Sequence, residues 1–112
     1  MKREIKFRAW DGEKMLSPDY IDRKGVAYWR ENSIPERSEK IMQYTGLKDK
    51  NGAEIYEGDV IIKTATENSY VSAPFVVQWL EKQAGFNVAK GDHHYYEIIG
   101  NIYENPELLK AS

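Results

Sequence analysis

Apolar and polar residues alternate from residue 4 to residue 10, which is the period of a strand with one buried face. Asp11 and Gly12 follow with the chemistry of a tight turn, and residues 14–16 supply a short apolar return. The pattern predicts an antiparallel hairpin at the N-terminal end of the chain.

The apolar spacing becomes irregular over residues 17–40, where Pro18 and Pro35 interrupt the chain. Only residues 26–29 have the pattern of a short strand. Ser33 and Glu36 have capping-box spacing, but no apolar stripe follows them, so we expect at most one or two helical turns there. This part is predicted to be a long, variable excursion.

Two hairpin registers compete at the turn residues Asn51 and Gly52. A two-residue loop sets Asp49 opposite Glu54, whereas a three-residue loop sets Lys48 opposite Glu54. Each cross-strand pair contributes about 0.2–1 kcal/mol, and like charges oppose pairing, so the longer loop is favoured. Asp49 and Gly52 then begin and end a type I turn that closes with a left-handed glycine.

Further strands are predicted in the second half of the chain. Gly58 and Asp59 form a second tight turn with a positive φ at the glycine, and residues 60–62 continue as a strand that is apolar on both faces. Residues 75–80 and 95–99 give two more strand patterns. Asn105 is a plausible helix cap ahead of Pro106, which predicts a short C-terminal helix.

About seven strands with short connections indicate a mainly β fold. We expect a small SH3-like barrel or two strongly bent antiparallel sheets, with the N-terminal hairpin and the short C-terminal helix. At 112 residues the chain has the length of a single domain, residues 1–112. We expect residues 1–40, the hairpin and the excursion, to pack on a barrel-like part formed by residues 41–112.

Composition narrows the classes of function. The chain has no cysteine, which excludes a disulfide scaffold, a thiol nucleophile and a thiolate metal site. A net charge of −2 gives no general attraction to nucleic acid, and no apolar run is long enough for a signal peptide or a membrane span. We expect a soluble cytoplasmic protein without a membrane partner. Eight tyrosines and three tryptophans favour a homo-oligomer.

Three blocks of sequence resemble the YopX family of small bacteriophage and prophage proteins. They contain Phe-Arg-Ala-Trp-Asp, Tyr-Thr-Gly-Leu-Lys-Asp-Lys-Asn-Gly with Glu-Ile-Tyr-Glu-Gly-Asp, and Ile-Gly-Asn-Ile-Tyr-Glu-Asn-Pro, at residues 3–11, 42–60 and 99–109. The resemblance implies a mostly β fold and a phage or prophage origin in a bacterial host cell. It carries over no catalytic or ligand residue. Residues 17–40 and 63–94 lack the family signature, so a partner surface is expected there.

The clustered carboxylates Glu54, Glu57 and Asp59 could serve acid–base chemistry or a divalent cation, but their spacing is also satisfied by a turn. We favour the structural interpretation. His93 and His94 are adjacent, and neighbouring side chains of an extended segment point to opposite faces, so they do not form a shared metal site. We predict no catalytic residue, no metal and no cofactor, and therefore no enzyme.

The best local candidate for binding is the basic N-terminal strand. Residues 1–10 contain four basic side chains against one glutamate, and Lys6, Arg8 and Trp10 share one face of the predicted strand. Cations there could meet phosphates while the indole stacks on a base. Alternatively, the cations cover Trp10 and pair with the acidic C-terminal segment, which we favour.

Two functional hypotheses follow. The first is a non-enzymatic phage accessory protein that binds itself and an unidentified host or phage protein through exposed tyrosine and tryptophan. The alternative is a small-barrel nucleic-acid-binding protein that uses Lys6, Arg8 and Trp10. Asp49, Asn51, Gly52, Gly58 and Asp59 are assigned to turns under either hypothesis.

Overall fold

A computed structural model describes residues 5–64, 72–88 and 95–109 of the chain. The fold is mainly β, with 51% of the described residues in strands and with a curled half-barrel sheet beside smaller sheets. This confirms the predicted fold class. The described residues contain no α-helix, and the predicted C-terminal helix is only a 3₁₀ turn at Pro106–Leu109.

The described residues form twelve strands, which we number in chain order. They are β1 Phe7–Trp10, β2 Met15–Leu16, β3 Tyr20–Ile21, β4 Ala27–Glu31, β5 Ile34–Ser38, β6 Ile41–Lys48, β7 Glu54–Tyr56, β8 Asp59–Lys63, β9 Phe75–Val76, β10 Trp79–Leu80, β11 Gly85–Phe86 and β12 Tyr96–Asn101.

The strands form four sheets, in the orders β2-β1-β6-β7, β3-β4-β5, β12-β8-β9 and β10-β11. The strand count exceeds the predicted seven partly because residues 75–80, expected as one strand, form β9 and β10. Val77 lies between them and exchanges backbone hydrogen bonds with the Gly58–Asp59 turn. The chain also divides into two compact units, Met1–Tyr44 and Thr45–Ser112. The expected packing of residues 1–40 on residues 41–112 stays a prediction.

The first unit, Met1–Tyr44, contains the predicted N-terminal hairpin. β1 pairs with β2 so that Trp10 lies opposite Met15, which confirms that expectation. The Asp11 carboxylate fixes the connecting turn because it accepts hydrogen bonds from the N–H groups of Glu13 and Lys14, at 2.7 and 2.8 Å. A small core of this unit is formed by Ala9, Ala27 and Trp29, with Leu16, Ile21 and Ile41 packed against it.

The helical turns expected around Ser33 and Glu36 are wrong, because this segment forms strand β5. Asn32 and Ser33 take positive φ values of 53° and 68°, which produces a two-residue hairpin turn and returns β5 along β4. In this register Pro35 lies one position beyond the hydrogen-bonded pair next to the turn. Its missing N–H therefore faces away from β4, as expected for proline on an edge strand.

The second unit, Thr45–Ser112, has a larger core. Its buried members are Ile55, Ile61, Val77 and Tyr96, with Leu47, Phe75, Phe86, Val88 and Ile98 packed around them. β8 supplies the centre of this core because it pairs with both β12 and β9 and contains the fully buried Val60 and Ile61. The apolar pattern of residues 60–62 predicted this central position.

Candidate binding surface

The carboxylate of the turn residue Asp49 accepts hydrogen bonds from backbone N–H groups of the second unit. It is only 7% exposed, and its Oδ1 accepts hydrogen bonds from the N–H groups of Asn51 and Ala53, at 2.9 and 3.0 Å. Its Oδ2 accepts a third from Ile98 at 3.1 Å. Gly52 has a φ of 86° and donates its N–H to the Asp49 carbonyl. One carboxylate thus connects the hairpin turn to β12.

Asp59 has a similar structural role at the next turn, where it also accepts a backbone N–H group. This buried carboxylate accepts the N–H of Tyr56 at 2.7 Å, and the intervening Gly58 has a φ of 88°. Asp59 belongs to the predicted carboxylate cluster, and a second member, Glu54, accepts a hydrogen bond from the Tyr56 hydroxyl at 3.3 Å. Glu57, the remaining member, is half-buried. These contacts bind the carboxylates to their own hairpin.

Asn101 organises the chain after β12. It is buried, and its Oδ1 accepts the N–H groups of Tyr103 and Glu104, at 3.0 and 2.9 Å. Asn105 in turn accepts the N–H of Asn101 through Oδ1 at 3.2 Å. A Cβ at Gly100 would lie 2.5 Å from that same Oδ1, so the glycine is required for this close approach.

The basic N-terminal strand does not present an exposed aromatic ring. Lys6 Nζ lies 5.5 Å from the ring centroid of Tyr44, which is the geometry of a cation–π contact. Arg8 is half-buried opposite Met42, and Trp10 is only 9% exposed. The Trp10 ring is therefore not available as a stacking platform.

An exposed aromatic surface lies instead on the sheet β3-β4-β5 of the first unit. Tyr20 pairs with Tyr28, and Tyr28 pairs with Arg37, so the three residues form one row across the sheet. The tyrosine rings stack with centroids 4.9 Å apart, and Tyr20 is 62% exposed. Arg30 and Pro35 form the adjacent row. We call these five residues the tyrosine face.

The turn between β3 and β4 holds Tyr28 in place. Asp22 Oδ1 accepts the N–H groups of Lys24 and Val26, and its Oδ2 accepts the Tyr28 hydroxyl at 2.9 Å. The Val26 N–H, together with the Tyr28 hydroxyl, holds the pKa of Asp22 below its ordinary 3.8, although desolvation opposes them. The hydrogen bond to Asp22 correspondingly raises the pKa of Tyr28. The stacked pair is thus anchored at one ring.

Two clefts lie beside strands β4 and β5. The tyrosine cleft has a volume of about 210 Å³ and is lined by Asp19, Tyr20, Tyr28, Trp29, Arg30, Pro35 and Glu36. The acidic cleft, of about 300 Å³, is lined by Asp11, Glu13, Lys14, Trp29, Glu31, Asn32, Ile34 and Glu36. Trp29 and Glu36 line both clefts. All of these residues belong to the first unit.

The cations that line the clefts are engaged within the first unit. Lys14 Nζ lies 3.1 Å from carboxylate oxygens of both Asp11 and Glu31. The hydrogen bond to Glu31, followed by that to Asp11, raises the pKa of Lys14, while the backbone N–H groups of the turn lower the pKa of Asp11. Arg30 donates from Nη1 to the Ser33 carbonyl at 3.1 Å. Glu13 and Glu36 remain exposed at the cleft rims.

Trp29 forms the wall that the two clefts share, and it is 7% exposed. Its indole Nε1–H is buried and has no hydrogen-bond partner within residues 5–64, 72–88 and 95–109. A buried donor without an acceptor is unfavourable by about 1–3 kcal/mol. The described fold therefore leaves this buried N–H unsatisfied.

Reasoning from the sequence did not identify Tyr20, Tyr28, Arg30 and Arg37 individually. It did leave residues 17–40 as one segment where a partner surface is expected, and the tyrosine face lies there. The short strand predicted at residues 26–29 is part of β4, and the missed signal was its continuation through Arg30 and Glu31 to the turn-forming Asn32. His93 and His94 lie outside the described residues. Within those residues, no group of three His, Cys, Asp or Glu side chains could hold a metal ion.

The fold and the surface together define a mainly β protein with an exposed tyrosine sheet in its first unit and turns held by buried carboxylates in its second unit. A family model described as YopX protein matches residues 6–110, so this chain belongs to the YopX family. The match confirms the resemblance seen in the three sequence blocks.

The chain is also similar to protein EF1440 from Enterococcus faecalis, which is known from a crystal structure. The two chains are 26% identical, the match covers 96% of this chain and 99% of that one, and the TM-score is 0.65. A comparison with curated proteins found no match. Among the helices of the described residues, none has the length and apolar character needed to cross a membrane.

Proposed function

We propose that this protein is a non-enzymatic phage or prophage accessory protein that acts in the bacterial cytoplasm by binding a protein partner and itself. The observation that carries the proposal is the tyrosine face, where the stacked Tyr20 and Tyr28 lie beside Arg37 on an exposed sheet. Tyrosine and arginine are enriched in protein interfaces and among their energetic hot spots. Membership of the YopX family supports the phage origin.

The contacts of the motif residues support a binding role rather than catalysis. Asp49 and Asp59 are buried and accept backbone N–H groups, which gives each carboxylate a structural purpose. A protein partner is favoured over nucleic acid because Trp10 is buried. The aromatic residue that the alternative hypothesis needs for base stacking is therefore not exposed.

The proposal is tested by affinity capture of the full-length protein from bacteria that carry its gene in a phage or prophage. We compare the wild type with Tyr20→Ala, and use Trp79→Ala as the matched control because Trp79 is an exposed aromatic residue of the second unit. We expect a defined protein to be captured by the wild type and by the control, and its yield to fall at least about tenfold with Tyr20→Ala.

Undiminished capture by Tyr20→Ala would contradict the assignment of the tyrosine face. Recovery of nucleic acid in place of a protein would favour the alternative hypothesis. For self-association, sedimentation velocity at micromolar to millimolar protein concentration should show a defined oligomer. A strict monomer over that range would remove self-association from the proposal.

A further inference from the structure

We propose that two copies of this chain associate through their tyrosine faces, as a symmetric dimer in which Arg37 of each copy pairs with Asp19 of the other. The inference rests on the proposed function and names the surface and the contacts of its self-association. It starts from the outer face of the sheet β3-β4-β5, on which Tyr20 is 62% exposed and Pro35 and Arg37 are also exposed. Association removes this ring from water.

Charges of opposite sign lie at the two edges of this sheet. Asp19 directly precedes β3 and lines the tyrosine cleft, whereas Arg37 belongs to β5. Both side chains belong to exposed residues, and neither forms an ion pair with another described residue. β4 separates the two edge strands, whose backbones are therefore about 10 Å apart. A second copy supplies the opposite charge that each of these groups lacks.

A two-fold axis along β4 brings the opposite edges of two such sheets together. When two faces pack about 10 Å apart around this axis, β3 of one copy lies over β5 of the other. Tyr20, Tyr28 and Arg37 form one row across the sheet, so the guanidinium of one copy faces the Tyr20 ring of the other. Asp19 is the next residue along the chain. A guanidinium both stacks on an aromatic ring and bonds a carboxylate, and the symmetry forms this contact twice.

The side chains of the face are held in place before any association. The Tyr28 hydroxyl donates to Asp22 at 2.9 Å. This hydrogen bond raises the pKa of Tyr28, and the positive charge of Arg37 opposes the rise, which indicates that the guanidinium lies on the same face. Arg30 donates to the Ser33 carbonyl at 3.1 Å, which directs its charge towards the hairpin turn. Such order lowers the entropic cost of binding.

The balance of charge favours a second copy over a polyanion. Arg30 and Arg37 are accompanied by the carboxylates of Asp19 and Glu36, which line the tyrosine cleft. A nucleic acid or an acidic segment would be repelled by these carboxylates as it approached the arginines. A second copy related by the two-fold axis instead presents the same charges in the reverse order across the sheet.

The test is sedimentation velocity of the full-length protein between about 1 µM and 1 mM. The face is small beside the roughly 800 Å² per partner of a standard interface, so we expect a dimer with a dissociation constant of about 10–100 µM. Arg37→Glu and Asp19→Arg each set like charges across the axis and should weaken the dimer at least about tenfold. The control is Arg23→Glu, at an exposed arginine between β3 and β4 outside the cleft lining, which should change the dissociation constant less than about twofold.

An equimolar mixture of the two weakened variants provides the decisive readout. In a mixed dimer the introduced arginine faces the introduced glutamate, while the native Arg37 of one chain faces the native Asp19 of the other. We therefore expect the mixture to associate within about threefold of the wild-type affinity, although each variant alone does not. Fluorescent labelling of one variant identifies the mixed species. Recovery in the mixture also shows that both variants are folded.

A mixture that fails to associate, or a wild-type dimer that both substitutions leave unchanged, would overturn the tyrosine face as the dimer interface. A wild-type protein that stays monomeric up to about 1 mM would overturn the dimer itself. A foreign protein would compete with the second copy for the same face. Its capture by a monomeric protein, in a manner that depends on Tyr20, would leave partner binding in the proposed function standing and remove only this dimer.

Discussion

The two units of the chain use their polar side chains in different ways. In the second unit, Asp49, Asp59 and Asn101 are buried and accept hydrogen bonds from backbone N–H groups. In the first unit, Glu13 and Glu36 are exposed at clefts with an aromatic wall. The difference teaches that residues of the sequence blocks in the second unit maintain its turns, whereas the surface proposed for binding lies in residues 17–40, outside the three blocks that carried the resemblance.

The largest effect is expected at Asp49. Asp49→Ala removes the acceptor of three N–H groups, two of the hairpin turn and one of β12, and should lower the free energy of unfolding by about 3 kcal/mol. Urea unfolding followed by circular dichroism measures the change. Glu81→Ala, at an exposed acidic residue of the same unit, is the control and should change stability by less than about 0.5 kcal/mol. Equal effects of the two variants would contradict the structural role of Asp49.

A smaller loss is expected from a single methyl group at Gly100. Gly100→Ala places a Cβ 2.5 Å from Asn105 Oδ1 and should destabilise the protein by about 1–3 kcal/mol. Gly85→Ala is a matched control because the nearest atom to its Cβ, the Gln83 carbonyl oxygen, would be 3.7 Å away. Thermal unfolding of both variants checks the difference. A Gly100→Ala variant as stable as Gly85→Ala would show that the Asn105 contact is not rigid.

The turn that anchors Tyr28 should give the first unit a dependence on acid pH. The folded pKa of Asp22 is lowered, so its stabilisation is fully present above the ordinary pKa of 3.8 and is lost as the pH falls through the lower folded value. Asp22→Asn should therefore flatten the decline of the unfolding midpoint at acid pH. Glu39→Gln, at an exposed glutamate of the same unit, is the control and should leave the decline unchanged. An unchanged decline in Asp22→Asn would assign the acid sensitivity to other carboxylates.

The smallest effect on stability is expected at the tyrosine face. Tyr20→Ala removes a ring that is 62% exposed and should change the free energy of unfolding by less than about 1 kcal/mol. The same substitution should lower the yield of captured partner at least about tenfold, so its effect on binding should be large while its effect on stability is small. Urea unfolding of the purified wild-type and Tyr20→Ala proteins measures the change in the free energy of unfolding. A loss as large as that of Asp49→Ala would mean that the tyrosine face serves folding.

Local patterns predicted the parts of the fold that depend on neighbouring residues. The N-terminal hairpin follows from alternation and from the Asp11-Gly12 turn, and the central position of β8 follows from three consecutive apolar residues. β5 was missed because most of its side chains are exposed, so no apolar period marks it. The capping-box spacing at Ser33 did not lead to a helical turn, because Ser33 lies in the two-residue turn and has a positive φ.

The tyrosine face could not be predicted from such patterns because it is formed by register across three strands. Tyr20, Tyr28 and Arg37 are separated along the chain, and only the pairing of β3, β4 and β5 brings them into one row. The carboxylates of the turns were easier to interpret, since their spacing around Gly52 and Gly58 already favoured structural roles. The turns can be predicted from residues that are close together in the sequence, whereas the tyrosine face depends on the pairing of strands that are separated along the chain.

The most direct test of this division is site-specific photo-crosslinking in bacteria that carry the gene in a phage or prophage. A photoreactive phenylalanine analogue replaces Tyr20 in one variant and Trp79 in another, so that each unit carries the probe at an exposed aromatic position. We predict a discrete crosslinked protein with the probe at residue 20 and none with the probe at residue 79. Crosslinking at residue 79 alone would contradict the account.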